Sequence, residues 1–299
     1  MYHQRGQGHT MSGNKQYLKG ILITLGGVLV VSSDALLIRM SGVSGFKAGF
    51  WRALFTFLSL FILFVSTRKR AWFTIIKSGG SALLFSSLLW GVSGISFSLG
   101  VAKSGAAVAL VMVSLSPFFA SAHSYLFYRT KPHALTLLAA VGAIGGIIYM
   151  YSSQLGTIGP KDFLYTVWTP LVLGVNLSYL GQHPQFDRIA ICSMGGLFGA
   201  IIAFFLAGMR VSVTTAELLP LLLLGAVVIP ISQVSISSGT RYIPASESAL
   251  ISSLETIFGI FYVWIFLNEV PSRHTLIGGA IVLCCIIFNT LAQAYVVKR

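Results

Sequence analysis

Residues 93–132 read SGISFSLGVAKSGAAVALVMVSLSPFFASAHSYLFYRTKP, and residues 232–271 read SQVSISSGTRYIPASESALISSLETIFGIFYVWIFLNEVP. Set in one frame at a displacement of about 139 positions, without a gap, Ser93, Ser96, Ser98, Gly100, Ala106, Ser114, Leu115, Phe119, Phe127 and Pro132 fall on Ser232, Ser235, Ser237, Gly239, Ala245, Ser253, Leu254, Phe258, Phe266 and Pro271. Serine and alanine match one another easily in apolar sequence. Chance does not also favour the loop runs Phe127-Tyr128-Arg129-Thr130-Lys131-Pro132 and Phe266-Leu267-Asn268-Glu269-Val270-Pro271 falling in the same frame. The chain therefore reads as an internal duplication, and the content of one copy decides the fold.

That content is apolar. Hydrophobic residues make up 55% and charged residues 9%, whereas a soluble domain carries about 25% charged residues, so the excess apolar surface must face lipid. Cutting at charged and Pro/Gly-rich breaks gives ten segments, near 18–40, 46–66, 78–101, 104–128, 133–151, 160–180, 188–208, 217–238, 246–267 and 274–296, each close to the roughly 20 residues a spanning helix needs. The expected fold is all-α and integral to the membrane. The polar stretch 1–17 precedes a first repeat of five helices at 18–153 and a second at 154–297. Met1 to Tyr17 has no apolar run ending in a small-residue cleavage site and reads as a short disordered tail, not a signal peptide.

Basic residues fix the orientation, because lysine and arginine near span ends are retained on the cytoplasmic side. Arg5, Lys15, Lys19, Arg68, Lys69, Arg70, Lys77, Arg129, Lys131, Arg188, Arg241, Lys298 and Arg299 lie on the side of the termini, while the other side holds only Arg39, Lys47, Lys103, Lys161, Arg210 and Arg273. Both termini are expected in the cytoplasm. The +13 formal charge is thus topological, and no basic-aromatic element points to nucleic acid. Five spans per copy is an odd number, so the second copy enters the bilayer inverted. Asn268 and Val270 in place of Arg129 and Lys131 fit a loop that has moved to the external face. Two inverted halves can exchange conformations around a shared cavity, opening one mouth as the other closes.

Pro244-Ala245 to Ser248-Ala249, Leu254-Glu255, Phe266-Leu267-Asn268-Glu269 and Gly278-Gly279-Ala280 resemble the end of an EamA repeat of the drug/metabolite transporter superfamily. Gly100, Leu115-Ser116-Pro117 and Pro132 resemble its first copy, and Ser32-Ser33-Asp34 to Arg39 with Phe50-Trp51-Arg52-Ala53 resemble the start of a half. The resemblance covers most of the chain. It implies ten helices in two inverted halves, a central cavity lined by the first four helices of each half, and peripheral fifth helices. Superfamily members include bacterial exporters of amino acids and other metabolites, with nucleotide-sugar carriers as relatives. The chain departs from the usual pattern at Thr256, where proline commonly follows the glutamate, and at Thr130, where the first copy lacks an acid.

Seven acidic residues occur, and two of them, Asp34 and Glu255, lie away from span ends. Glu255 sits roughly 14 Å inside its span at 1.5 Å per residue. A charge facing lipid there would cost about 2.5 to 3.5 kcal/mol, so it should face a wet cavity or a partner. Glu255, Gly259 and Tyr262 share a helix face and correspond to Ser116, Ala120 and His123. Ser86, Trp90, Ser93 and Phe97 share another, with Ser232, Gln233 and Ile236 in the copy. These stripes are expected around the cavity, although small residues at helical spacing also serve close helix packing. Asp34 has two readings, an ion pair with Arg52 or a role in proton coupling or amine binding. His123 is a proton acceptor or a buried histidine with one hydrogen bond. Trp90, Trp168, Tyr179 and Tyr262 could stack on a planar solute or simply pack. Pro117, Pro170 and Pro230 mark bending points.

Cys192, Cys284 and Cys285 have no metal or disulfide spacing, and no phosphate-binding glycine loop followed by Lys-Ser/Thr occurs. No cofactor, metal or catalytic set is expected. The chain reads as a secondary exporter of a small metabolite such as an amino acid, in a bacterial inner membrane, with a proton as candidate coupling ion and Glu255 as the leading contact. Uptake or exchange of a nucleotide-type metabolite is the alternative within the fold. A channel is a rival of another class, as is an intramembrane serine protease built on Gly91-Val92-Ser93-Gly94 and His123. Gly142, Gly145, Gly146, Gly278 and Gly279 serve either internal packing or a homodimer contact.

Overall fold

The computed structural model describes residues 7–43, 45–68, 71–129, 134–152, 159–239, 242–243, 248 and 251–297. The motif positions Thr130 to Pro132 and Pro244 to Glu247 lie outside the described residues. Helix α1 (Gln7–Val31) and α2 (Asp34–Ser41) make span 1, α3 (Gly45–Arg68) span 2, α4 (Ala71–Ser104) span 3, and α5 (Ala106–Val113) with α6 (Ser116–Tyr128) span 4. Helix α7 (Ala134–Ser152) is span 5, α8 (Pro160–Gln182) span 6 and α9 (Arg188–Leu206) span 7. Span 8 comprises α10 (Thr215–Leu223), a π-helical stretch Leu224–Val228 and α11 (Ile229–Gly239), span 9 contains α12 (Leu254–Leu267), and span 10 is α13 (Arg273–Val297). The ten expected spans are present. Helix α1 begins at Gln7, inside the stretch expected to be a disordered tail.

Three spans expected to be continuous are broken near mid-length, and hydroxyl side chains sit at each break. In span 1 the Ser32 and Ser33 hydroxyls donate to Val28 O and Val30 O at 2.7 and 2.8 Å, offering the backbone an alternative to the helical ladder. In span 4 Pro117 lacks the N–H that would meet Val113 O, and Ser116 Oγ donates to that carbonyl at 2.5 Å. Pro117 therefore occupies the first turn of α6, where its missing N–H costs nothing. The break in span 4 falls at Ser114–Leu115, and span 9 breaks at Ser253, the copy of Ser114. Pro230 acts similarly in span 8. It cannot give Ala226 O the donor that residue 230 would supply, and Ser59 Oγ of α3 donates to that oxygen at 2.8 Å. Helices α6 and α12 also end alike, on left-handed residues Arg129 (φ 56°) and Asn268 (φ 54°) at one repeat position.

Contacts run mainly between the halves and obey the exchange of one half for the other. Span 1 packs on span 8 as span 6 packs on span 3; span 1 meets span 9 as span 6 meets span 4; span 3 meets span 7 as span 8 meets span 2. Spans 2 and 7 pair with each other, as do 5 and 10. Between spans 1 and 8 Gly20, Thr24 and Gly27 approach Tyr242, Gly239 and Ser235, an antiparallel register. Since spans 1 and 3 run the same way, spans 3 and 8 run oppositely, which is the inversion.

The largest buried cluster joins Ala35, Ile38, Val101, Leu110, Leu221, Leu224 and Val263. It lies on the side away from the termini, here termed distal. On the terminal side a cluster of Phe64, Trp72, Ala190 and Met194 gathers on spans 2, 3 and 7 instead of crossing the middle of the bundle. Spans 5 and 10 form an outer pair against span 4, and Leu138, Val141 and Ile148 turn away from the protein as lipid-facing residues.

Candidate functional site

Arg52 and Asp34 meet because the break at Ser32–Ser33 starts a new helix at Asp34 beside α3. Arg52 Nε and Nη2 donate to Asp34 Oδ1 and Oδ2 at 3.2 and 2.5 Å, with side chains only 8% and 4% exposed. Gly94 makes room for the guanidinium, since a Cβ there would lie 2.7 Å from Nη1. This two-pronged geometry is what offsets the cost of burying both charges.

The pair borders a central cavity of about 130 Å³ whose wall comes from spans 1, 2, 3, 4, 6, 8 and 9. Asp34, Trp90, Ser93, Phe97, Gln233 and Glu255, each picked out by sequence, line it together. Glu255 stands in the first turn of α12 and shares the cavity wall with Asp34 and Arg52. Among the described residues it makes neither hydrogen bond nor ion pair. It is half-buried and lines the cavity. Beside it Thr256 Oγ1 donates to Leu110 O at 3.2 Å, so the residue that departs from the common repeat pattern ties span 9 to span 4. Two carboxylates and one guanidinium give the chamber one more acid than base.

The remaining sequence candidates lie elsewhere. His123 Nδ1 is 3.0 Å from Ser178 Oγ, and its ring stacks on Phe127 at 4.5 Å, toward the terminal end of span 4. Trp168 is 53% exposed and faces outward, a helical turn of about 100° from its cavity-lining neighbour Thr169. Tyr262 packs on the distal cluster with its ring edge toward Phe266. Tyr179 stacks on His183 at 4.4 Å. Ser86 donates to Asn176 Oδ1 at 2.6 Å and holds spans 3 and 6 together. The protease pair does not assemble: Ser93 Oγ donates to Trp90 O at 2.7 Å and His123 is engaged with Ser178. Gly91 abuts the backbone of Gly195 and Gly199, so its motif serves close packing of α4 on α9.

Thr169, Gly94, Val113, Leu173 and Ile229 also line the cavity and were not singled out by sequence, because none is unusual within an apolar helix. A second recess of about 130 Å³ lies near Ser104, Gly105 and Pro271. It sits at the distal surface beside Glu269 and holds no acid in the membrane interior, so the chemistry belongs to the central chamber.

Residues 18–152 and 172–291 each match the EamA-like transporter family. An uncharacterized transporter, YdfC, of Bacillus subtilis (strain 168) is 22% identical over 288 residues, spanning 88% of this chain and 92% of that protein. One protein crystal structure shares the fold with a TM-score of 0.62 at 14% identity, over 93% of this chain and 98% of the other. With both halves matched and the paired bundle in place around its chamber, this chain belongs to the EamA-like transporter family.

Proposed function

We propose that the protein is a secondary carrier that exports a small amine-bearing metabolite, an amino acid being the leading candidate, by alternating access. The observation that carries this reading is Glu255: an acid without a hydrogen-bond or ion-pair partner among the described residues, in a chamber that the distal apolar cluster separates from one face. Burying a lone carboxylate is costly unless something positive meets it. A solute's ammonium group or a coupling proton fills that role. The plug favours a carrier over a channel, since a continuous pore would have to pass through Leu110, Leu221 and Leu224. A nucleotide-type solute is poorly served, because Arg52 is the one cation among the described wall residues and Asp34 already takes two of its nitrogens.

Under the charge bias of the loops the termini are cytoplasmic, the distal face is external, and this conformation is closed to the outside. The proposal is tested in proteoliposomes carrying a pH gradient and radiolabelled neutral amino acids. Wild-type protein should show saturable, concentrative flux with counterflow. Glu255→Gln should lose both concentration and pH response. A Glu255→Gln protein that remains fully concentrative and pH-responsive would falsify the assignment, and ohmic current in place of saturation would favour a channel.

A further inference from the structure

A buried hydroxyl in an apolar helix ordinarily donates to a carbonyl about one turn back, and Thr24, Ser32, Thr56, Ser87, Ser93 and Ser98 all do so. Thr169 does not. Its side chain is buried, and Oγ1 has no hydrogen-bond partner among the described residues. The carbonyl four residues back, Tyr165 O, instead receives Ser96 Oγ from span 3 at 2.9 Å. Two other buried polar atoms among the described residues are unpartnered, Trp72 Nε1 and Ser193 Oγ, and neither lines the central cavity. Thr169 does, opposite in origin to Glu255: one comes from span 6, the other from span 9.

Leaving a hydroxyl unpaired in an apolar interior is unfavourable, and a binding site is where such a group gains its partner. Glu255 supplies the wall with an anion for an ammonium group. For the opposite end of a zwitterion the same wall offers Arg52 Nη1, the guanidinium nitrogen that Asp34 does not engage, and behind its surface the unpaired Thr169 hydroxyl, which a change of rotamer about χ1 brings to a ligand. Trp90 and Phe97 supply apolar wall. We propose that Thr169 is a specificity-determining residue whose hydroxyl donates to the carboxylate of the transported amino acid while Glu255 receives its ammonium group. This rests on the transport reading given above.

The test is counterflow of radiolabelled L-alanine, L-threonine and L-leucine in proteoliposomes, together with inhibition by ethylamine, 1-amino-2-propanol and 3-methylbutylamine, which keep the ammonium group and lack the carboxylate. Thr169→Val keeps the shape and removes the hydroxyl. It should raise the apparent KM for the amino acids about tenfold, as expected for a lost hydrogen bond to a charged group, and leave inhibition by the amines unchanged. Thr169→Ser should stay within about twofold of wild type. Thermal stability of Thr169→Val should equal or exceed that of wild type, because an unpaired buried hydroxyl has been removed, which separates a weakened site from a damaged fold. An unchanged KM in Thr169→Val, or equal weakening of amino acids and amines, overturns the assignment. Wild-type protein that carries none of the three amino acids defeats the transport reading and this inference with it. Flux that Glu255→Gln abolishes and Thr169→Val leaves intact defeats only the role of Thr169.

Discussion

Asp34 and Arg52 illustrate how unequal the two ways of altering a buried ion pair are. Removing one partner leaves the other charged and dry, which costs about 3 to 5 kcal/mol, whereas replacing both by neutral groups of similar volume is close to neutral. Arg52→Met should therefore destabilise the purified protein by about 3 to 5 kcal/mol, and Asp34→Asn combined with Arg52→Met should recover most of that loss, as read by unfolding in detergent. Equal losses in the single and double variants would mean that the pair contributes through packing alone. The two acids of the chamber were legible in sequence for the same reason: a charge inside an apolar run has to be compensated, and few residues can do it. Thr169 was not legible. In sequence it looks like the many other hydroxyls buried in these helices, and what distinguishes it is a missing partner among the described residues, a property of the assembled bundle. Trp168, one position earlier, shows the complementary failure, since an aromatic draws notice wherever it points.

Hydropathy reports a helix by averaging over roughly 20 residues, so the ten elements could be placed while the breaks at Ser32–Ser33, Ser114–Leu115 and Ser253 could not. A two-residue interruption hardly moves such an average. The information was nonetheless present, because Ser114-Leu115 and Ser253-Leu254 are adjacent identities of the two copies, and it is there that each copy interrupts its fourth helix. The fifth helices pose a different problem, in that glycines permit either an internal contact or a dimer. Their geometry is internal at four of five positions: a Cβ on Gly278 would lie 2.5 Å from Gly146 O and 2.8 Å from Met150 Cβ, one on Gly142 would lie 2.8 Å from Cys285 Sγ, and one on Gly279 would lie 3.1 Å from Val111. Gly145 has nothing within 4 Å. Gly278→Ala should accordingly lower stability by about 2 kcal/mol through overpacking. Gly145→Ala should be neutral or slightly stabilising, by up to about 1 kcal/mol of helix propensity. The order of their unfolding midpoints in detergent checks both, and a reversed order would remove the close approach of spans 5 and 10.

For the whole molecule the question is what holds the distal mouth shut. The apolar cluster supplies bulk, but it would reform as readily in any state that brings the same halves together, so direction must come from contacts specific to this arrangement. The pair between Arg39, at the end of span 1, and Glu269, before span 10, is such a contact: Arg39 Nη2 lies 2.5 Å from Glu269 Oε1, joining the first half to the second at the distal surface. Trp51 Nε1, donating to Val211 O at 2.8 Å, braces the neighbouring rim. Both side chains of the ion pair are about one-third exposed, at 35% and 37%, so solvent screens the attraction and its worth is about 1 kcal/mol or less. That still moves a two-state balance by up to about fivefold. A cysteine introduced at Ser93, inside the chamber, can report that balance through labelling by a membrane-impermeant thiol reagent applied from either side, with Cys192, Cys284 and Cys285 replaced by serine or alanine. Labelling from the distal side should rise by up to about fivefold in Arg39→Glu, where like charges now face each other across the rim, and should return toward the original level when Glu269→Arg is added. The amount of label gained from the terminal side should fall in step, because one chamber is being redistributed between two mouths. If Arg39→Glu raised labelling from both sides together, the halves would be loosening instead of exchanging, and the ion pair would belong to stability and not to the cycle.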